Sequence, residues 1–167
     1  MKITLHLALS ADGFIAKSNG DSDWVSPIDG DLFLSRAKEA GCVVVGRKTF
    51  EQYKGQLFPV ENVANIVLTS HPLVETGSTF FATSPEEAIA KAEKRSCSSL
   101  LVAGGGKTGA TFLKAGLIDE IFFSVHPIVL GTGIKPFENL DKVYGLQLAG
   151  TKQLCGGLVE LHYIVEK

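Results

Sequence analysis

Three short stretches combine residue types that could handle a charged small molecule. Gly46-Arg47-Lys48-Thr49 directly follows the apolar run Cys42–Val45. A helix starting there would turn free N–H groups and the positive end of its dipole toward an anion. Arg47 and Lys48 would add charge and Thr49 a hydroxyl, the ingredients of a phosphate site, although an ordinary helix start with two solvated cations has the same composition. Gly104-Gly105-Gly106-Lys107-Thr108 also follows an apolar run and precedes a helical pattern. Successive glycines cost conformational entropy and suit unusual backbone paths. Close approach of a pyrophosphate is one use of such a path, and a flexible turn is the other reading. The spacing fits neither GxxxxGK[ST] nor GxGxxG with an acid about 20 residues on. The third stretch is Asp12-Gly13 with Trp24 and Asp29. An acid in the first turn of a helix beneath a cleft could protonate a substrate nitrogen or bind an amidine-like edge. An acid there also complements the helix dipole without any chemistry.

Other chemistries find no support. His6, His71, His126 and His162 are scattered without metal-ligand spacing, so no metal is expected, and His6 and His162 read as structural residues of strands. No GxSxG motif occurs and no cysteine has an evident histidine partner, which leaves covalent hydrolysis unsupported. Lys plus Arg number 16 against 18 Asp plus Glu, so the net charge of −2 carries no footprint for nucleic acid.

The elements that must position these residues follow from patterning. Ile3–Leu9 reads as a buried strand ending in the turn residues Ser10–Gly20. Ser26-Pro27 is a cap followed by proline at the first helical position, and Gly41 closes that helix. Strands are predicted at Cys42–Val45, Asn65–Thr69, Thr79–Ala82 and Leu100–Ala103. Ser84-Pro85-Glu86-Glu87 opens a second helix running to about Arg95, and Thr108–Ala115 reads as a third. Glu120–His126, Tyr144–Lys152 and Leu158–Glu166 are β-rich, with Gly156-Gly157 as a hairpin signal. Strands alternating with helices and then finishing as antiparallel strands predict an α/β domain, a mainly parallel sheet with an antiparallel edge. Ligands bind beyond the carboxyl ends of such strands, where all three stretches sit.

The chain of 167 residues is expected to be one domain, residues 1–167, large enough to need no disulfide staple. Glycine, 18 of 167, exceeds the usual ~7% and gathers in the loops at those strand ends. Three cysteines without CxxC spacing read as thiols of a reducing compartment. With neither a signal-peptide pattern nor an apolar run of ~18 residues, the expected location is cytoplasmic, away from membranes.

The order of motifs is more specific than any one of them. Leu7-Ala8-Leu9-Ser10-Ala11-Asp12-Gly13-Phe14-Ile15-Ala16, Trp24, Val45–Glu51, Val67–Ser70, Val102–Gly106 and Pro127–Gly133, in that sequence, resemble the dihydrofolate reductase-like superfamily. Within it the chain looks most like the reductase domain of the bifunctional deaminase-reductase of riboflavin biosynthesis and its standalone relatives. The resemblance implies a three-layer α/β/α sandwich with a mixed sheet and a cytoplasmic reductase using NADPH on a small heterocycle, a pterin or a ribosylamino-pyrimidine. By analogy Gly46, Arg47, Lys48 and Thr49 would hold the cofactor phosphates, with Thr69 and Ser70 near the ribose 2′-phosphate. A cis Gly104–Gly105 bond and contacts from Gly106, Lys107 and Thr108 would serve the pyrophosphate, and Ala8 and Ile15 would flank the nicotinamide. On the substrate side the resemblance offers Asp12 and Trp24, and either Asp29 or Asp31 as the acid. It also suggests a homodimer through the C-terminal strands. A zinc-deaminase HxE…PCxxC signature is absent. The rival expectations are a true dihydrofolate reductase and a nucleotide-binding module without turnover.

Overall fold

Ser26 starts the first helix by the mechanism its type predicts: its Oγ accepts the N–H of Ile28, and Pro27 occupies the first helical position. Helix α1 (Pro27–Ala40) ends at Gly41, whose φ of 75° is a left-handed conformation that suits glycine. The computed structural model describes residues 1–71 and 73–167. Around α1 lie strands β1 (Lys2–Ser10), β2 (Cys42–Gly46), β3 (Ala64–Leu68), β4 (Thr79–Ala82) and β5 (Ser99–Ala103). Helices α2 (Arg47–Gln52), α3 (Pro85–Glu93) and α4 (Gly106–Lys114) alternate with them, and β6 (Glu120–His126), β7 (Leu146–Gln153) and β8 (Val159–Val165) complete the chain. Helix α4 begins two residues before the predicted Thr108, because Gly105 ends the strand loop without a side-chain cap.

The eight strands form one sheet in the order β4-β3-β2-β5-β1-β6-β8-β7. β4 to β6 are parallel, and β8 and β7 pair antiparallel, with a 3₁₀ turn at Cys155–Gly157 joining them. This is the predicted three-layer arrangement. Side chains alternate across the sheet. Ile3, Leu5, Leu7, Val44 and Val102 pack with Ala88, Ala92, Phe112 and Leu113 of α3 and α4. Val43, Val45, Leu101 and Ala103 face Phe33, Ala37 and Ala40 of α1 and Phe50 of α2.

The connection after β1 moves toward β2 over one face, and that after β5 moves over the other face toward β6. Adjacent strands whose connections diverge leave a crevice at their carboxyl ends, which locates a ligand site between β1 and β5.

Two cysteines depart from the expected state. Cys42 and Cys97 are joined by a disulfide with a Cα–Cα distance of 6.2 Å, so only Cys155, which is exposed, is a free thiol. Among the described residues no helix is long and apolar enough to cross a membrane.

The packing predicts where truncation hurts. Phe112 is fully buried between α4 and the sheet, whereas Val129 is 74% exposed. Phe112→Ala should destabilise the fold by about 3–5 kcal/mol and Val129→Ala by less than about 0.5 kcal/mol, measured by urea unfolding.

Candidate active site

Alternation that sends Ile3, Leu5 and Leu7 toward α3 and α4 sends His6, Ala8 and Ser10 of β1 toward α1. On β6 the same logic turns Ile121 away and presents Ser124 and His126. Register sets Ala8 opposite Ser124 and Ser10 opposite His126. Here the α1 face of the sheet changes from apolar on β2 and β5 to polar on β1 and β6. Asp29, in the first turn of α1, is set over this polar strip and is only 4% exposed.

Asp29 Oδ1 is hydrogen-bonded to His6 Nε2 at 2.9 Å, and both side chains are buried. Burial alone would push the Asp29 carboxyl up. The hydrogen bond from His6 and the neighbouring hydroxyl of Ser124 outweigh it and hold Asp29 below the usual carboxylate range. His126 takes a second position around the same carboxylate. Its Nδ1 donates to the Ser124 carbonyl at 2.9 Å and its Nε2 accepts the Ser26 N–H at 3.0 Å. Trp24 meets the His126 ring edge-on at 5.1 Å. Trp24 Nε1 and Ser124 Oγ are buried without a well-formed hydrogen bond to any described residue. A buried donor left unpaired costs about 1–3 kcal/mol, so Trp24 Nε1, beside the His126 ring, offers a donor to a polar ligand.

The two candidate acids differ in helix phase. Asp31, two residues on, is exposed on the outer side of α1, away from the strip. Asp12 is exposed and committed elsewhere: it accepts from Ser10 Oγ at 2.7 Å and from the N–H groups of Leu130 at 3.1 Å and Gly131 at 2.7 Å. It thereby ties the loop after β1 to the loop after β6 instead of joining Asp29. The polar residues His6, Ser124 and His126 were not among the site residues expected from sequence. Their only signal was a polar side chain on the inward phase of an otherwise apolar strand.

A second cluster, at the carboxyl ends of β2 and β5, is built on glycine. Gly46 and Gly105 are the N-caps of α2 and α4, and neither helix start has a side-chain cap. A Cβ on Gly46 would lie 2.5 Å from Thr108 Oγ1, and one on Gly104 2.8 Å from Thr49 Cγ2. The Thr49 and Thr108 hydroxyls are each 3.5 Å from a Cβ built on Gly105. Gly46, Thr49, Gly104, Gly105 and Thr108 are therefore one cluster. The implied cis bond is not there: the Gly104–Gly105 peptide is trans, and the turn is made by φ of +63° and +80°. Gly106 is closely packed: a Cβ would collide with the Lys135 carbonyl, and its own carbonyl accepts the Glu138 N–H.

Around this cluster Arg47, Lys48 and Lys107 are exposed, with Arg47 Nε donating to Glu51 at 2.7 Å. Thr69 is buried and its Oγ1 accepts the His71 N–H, while Ser70 is exposed with its Oγ 2.9 Å from His71 Nδ1. Ala8 and Ile15 are half-buried, and the Ile15 N–H is tied to the Ile134 carbonyl at 2.8 Å. No cluster of three or more metal-ligating side chains occurs among the described residues.

The chain resembles known proteins along nearly its whole length. The family model described as the RibD C-terminal domain matches residues 1–159. The chain is 33% identical over 170 residues to the uncharacterised protein YwjB of Bacillus subtilis (strain 168), covering 98% of this chain and 97% of that protein. A crystal structure from Shewanella sp. PV-4, described as a riboflavin biosynthesis protein, superposes with a TM-score of 0.81 at 25% identity over 100% of both chains. Dihydrofolate reductase of Enterococcus faecalis, complexed with NADP(H), shares the fold with a TM-score of 0.77 at 22% identity over 99% and 97% of the two chains.

The lowered Asp29 value has a consequence for acid stability. Its folded value lies below the ordinary 3.8, so its charge stabilises the fold above that pH and the contribution disappears as pH falls through the folded value. The stability gap between wild type and Asp29→Asn, followed by urea unfolding, should be constant near neutral pH and shrink below pH 3.8.

Proposed function

The chain belongs to the RibD C-terminal domain family, and from that premise we propose that it is an NADPH-dependent oxidoreductase reducing a small nitrogen heterocycle of the pterin or ribosylamino-pyrimidine class. The observation that carries the reading is the pairing, on the central strands β2, β5 and β1, of a glycine-lined cluster with a buried, ionised carboxylate. The Enterococcus faecalis complex supports the choice of cofactor.

The residues present fit such a cofactor. The Thr108 and Thr49 side chains lie against Gly46 and Gly104 where a Cβ would intrude, and their hydroxyls beside the uncapped N–H groups of α4 suit phosphate oxygens. Arg47 and Lys48 would supply charge, and Thr69 and Ser70 hydroxyls, to a ribose 2′-phosphate. Lys107 adds charge at the start of α4, and Ala8 and Ile15 offer an apolar border for a nicotinamide. When bound, the cofactor supplies the hydride at its nicotinamide C4.

The chain's own residues hold the substrate and manage its protons. Asp29, ionised at neutral pH, accepts hydrogen bonds from an N–C–N edge through Oδ2, the oxygen His6 does not use. The Trp24 indole N–H donates to an acceptor on the same ring, while the Ser124 hydroxyl stays with the carboxylate. Because Asp29 is a carboxylate, it orients the substrate and polarises it toward protonation, and the proton itself arrives from water. Asp31 takes no part, being exposed on the other side of the helix.

Calorimetric titration with NADPH and NADH tests the cofactor half. Micromolar binding selective for NADPH is expected, and Arg47→Ala should weaken it by about 1.5–3 kcal/mol, roughly ten- to a hundredfold, while NADH binding stays unchanged. Equal NADPH affinity in wild type and Arg47→Ala would contradict the assignment.

A further inference from the structure

Asp29, Phe33 and Arg36 lie at i, i+4 and i+7 on α1, so one helix face carries both an acid and a base onto β1. His6 is clamped between them. Its Nε2 is 2.9 Å from Asp29 Oδ1 and its Nδ1 is 2.8 Å from Arg36 Nη1. Arg36 Nη2 in turn donates to Glu160 Oε2 of β8 at 2.7 Å, and its guanidinium lies 3.9 Å over the Phe122 ring. Phe33 packs edge-on against the imidazole.

A histidine beside a carboxylate can pair with it either as imidazolium or as a neutral N–H donor. Here the far side of the ring forbids the imidazolium. A guanidinium has five donors and no acceptor, so Nδ1 must accept, and the ring proton resides on Nε2. We infer that His6 and Arg36 are positioning residues for Asp29: Arg36 forces His6 to be a neutral Nε2–H donor, which orients the carboxylate without neutralising it. Glu160 balances Arg36, so the chain Glu160–Arg36–His6–Asp29, half-buried at Arg36 and buried elsewhere, carries one net negative charge, located at Asp29. The remaining groups facing Asp29 come from β6. His126 is neutral by the same reasoning, with Nδ1 donating to a carbonyl and Nε2 accepting a backbone N–H, and Ser124 is uncharged. A carboxylate with undiminished charge selects a substrate edge rich in N–H groups or protonated on binding. That last step rests on the proposed function; the state of His6 does not.

The state of His6 is read directly from ¹⁵N NMR of the ligand-free protein at pH 7. The expected signature is one protonated ring nitrogen, Nε2, and one unprotonated, Nδ1. Two protonated nitrogens, or a proton on Nδ1, would overturn the inference. Removing the clamp tests cause. In Arg36→Met, and in Arg36→Met/Glu160→Gln, which leaves no buried charge unpaired, Nδ1 no longer has to accept, and at the same pH the Nε2-only signature should be lost, with a proton found on Nδ1. Persistence of the wild-type signature in a folded variant would show that Arg36 does not set it. The probe 2,4-diaminopyrimidine reports on the carboxylate: its affinity should fall at least tenfold in these variants and in His6→Leu, and recover in His6→Gln, whose amide can still donate. If wild type fails to bind the probe while His6 keeps its signature, the substrate reading fails and the clamp stands.

Discussion

A carboxylate that is 4% exposed beneath a helix start is tolerated only if its hydrogen-bond partners are built in, and much of this molecule is arranged to supply them. The Ser26 cap and Pro27 set where α1 begins and hence which turn carries Asp29. The alternation of β1 turns His6 toward it, and the parallel register of β6 adds Ser124 and His126. The antiparallel extension has a share as well. Glu160 reaches Arg36 only because β8 pairs with β6, with Glu160 directly opposite Ser124.

The glycine half of the crevice obeys a steric constraint of the opposite kind. Asp29 needs neighbours in contact, whereas Gly46, Gly104 and Gly105 must lack side chains. Thr108 and Thr49 occupy the space a Cβ would take, so the starts of α2 and α4 are drawn together around two hydroxyls. The positive φ of Gly104 and Gly105 turns the chain abruptly from β5 into α4. A trans bond with two left-handed residues suffices for that turn, which is why the implied cis geometry is not required.

The fold was largely legible in the sequence because its punctuation is local. Ser26-Pro27, Gly41, Ser84-Pro85 and Gly156-Gly157 each act on their own backbone, and the observed elements begin and end close to them. The site was legible in part. The Asp29 and Asp31 alternatives needed the helix phase against the sheet, which a spacing of two cannot reveal. His6 read as a structural strand residue, since alternation gives the face but not the partner. Arg36 passed unnoticed because its partner Glu160 is 124 residues away. Cys42 and Cys97 likewise meet only through the packing of β2 against the segment before β5, across 55 residues of sequence.

The account stands on the claim that one crevice holds both halves of the chemistry. A ¹H–¹⁵N NMR titration of the protein with NADPH tests this most directly. The amides of Gly46, Thr49, Gly104, Gly105 and Thr108 should shift together with a single dissociation constant, accompanied by Ala8 and Ile15 next to the Asp29 strip. Shifts confined to other surfaces, or no shift in the two glycine loops at saturating nucleotide, would contradict it.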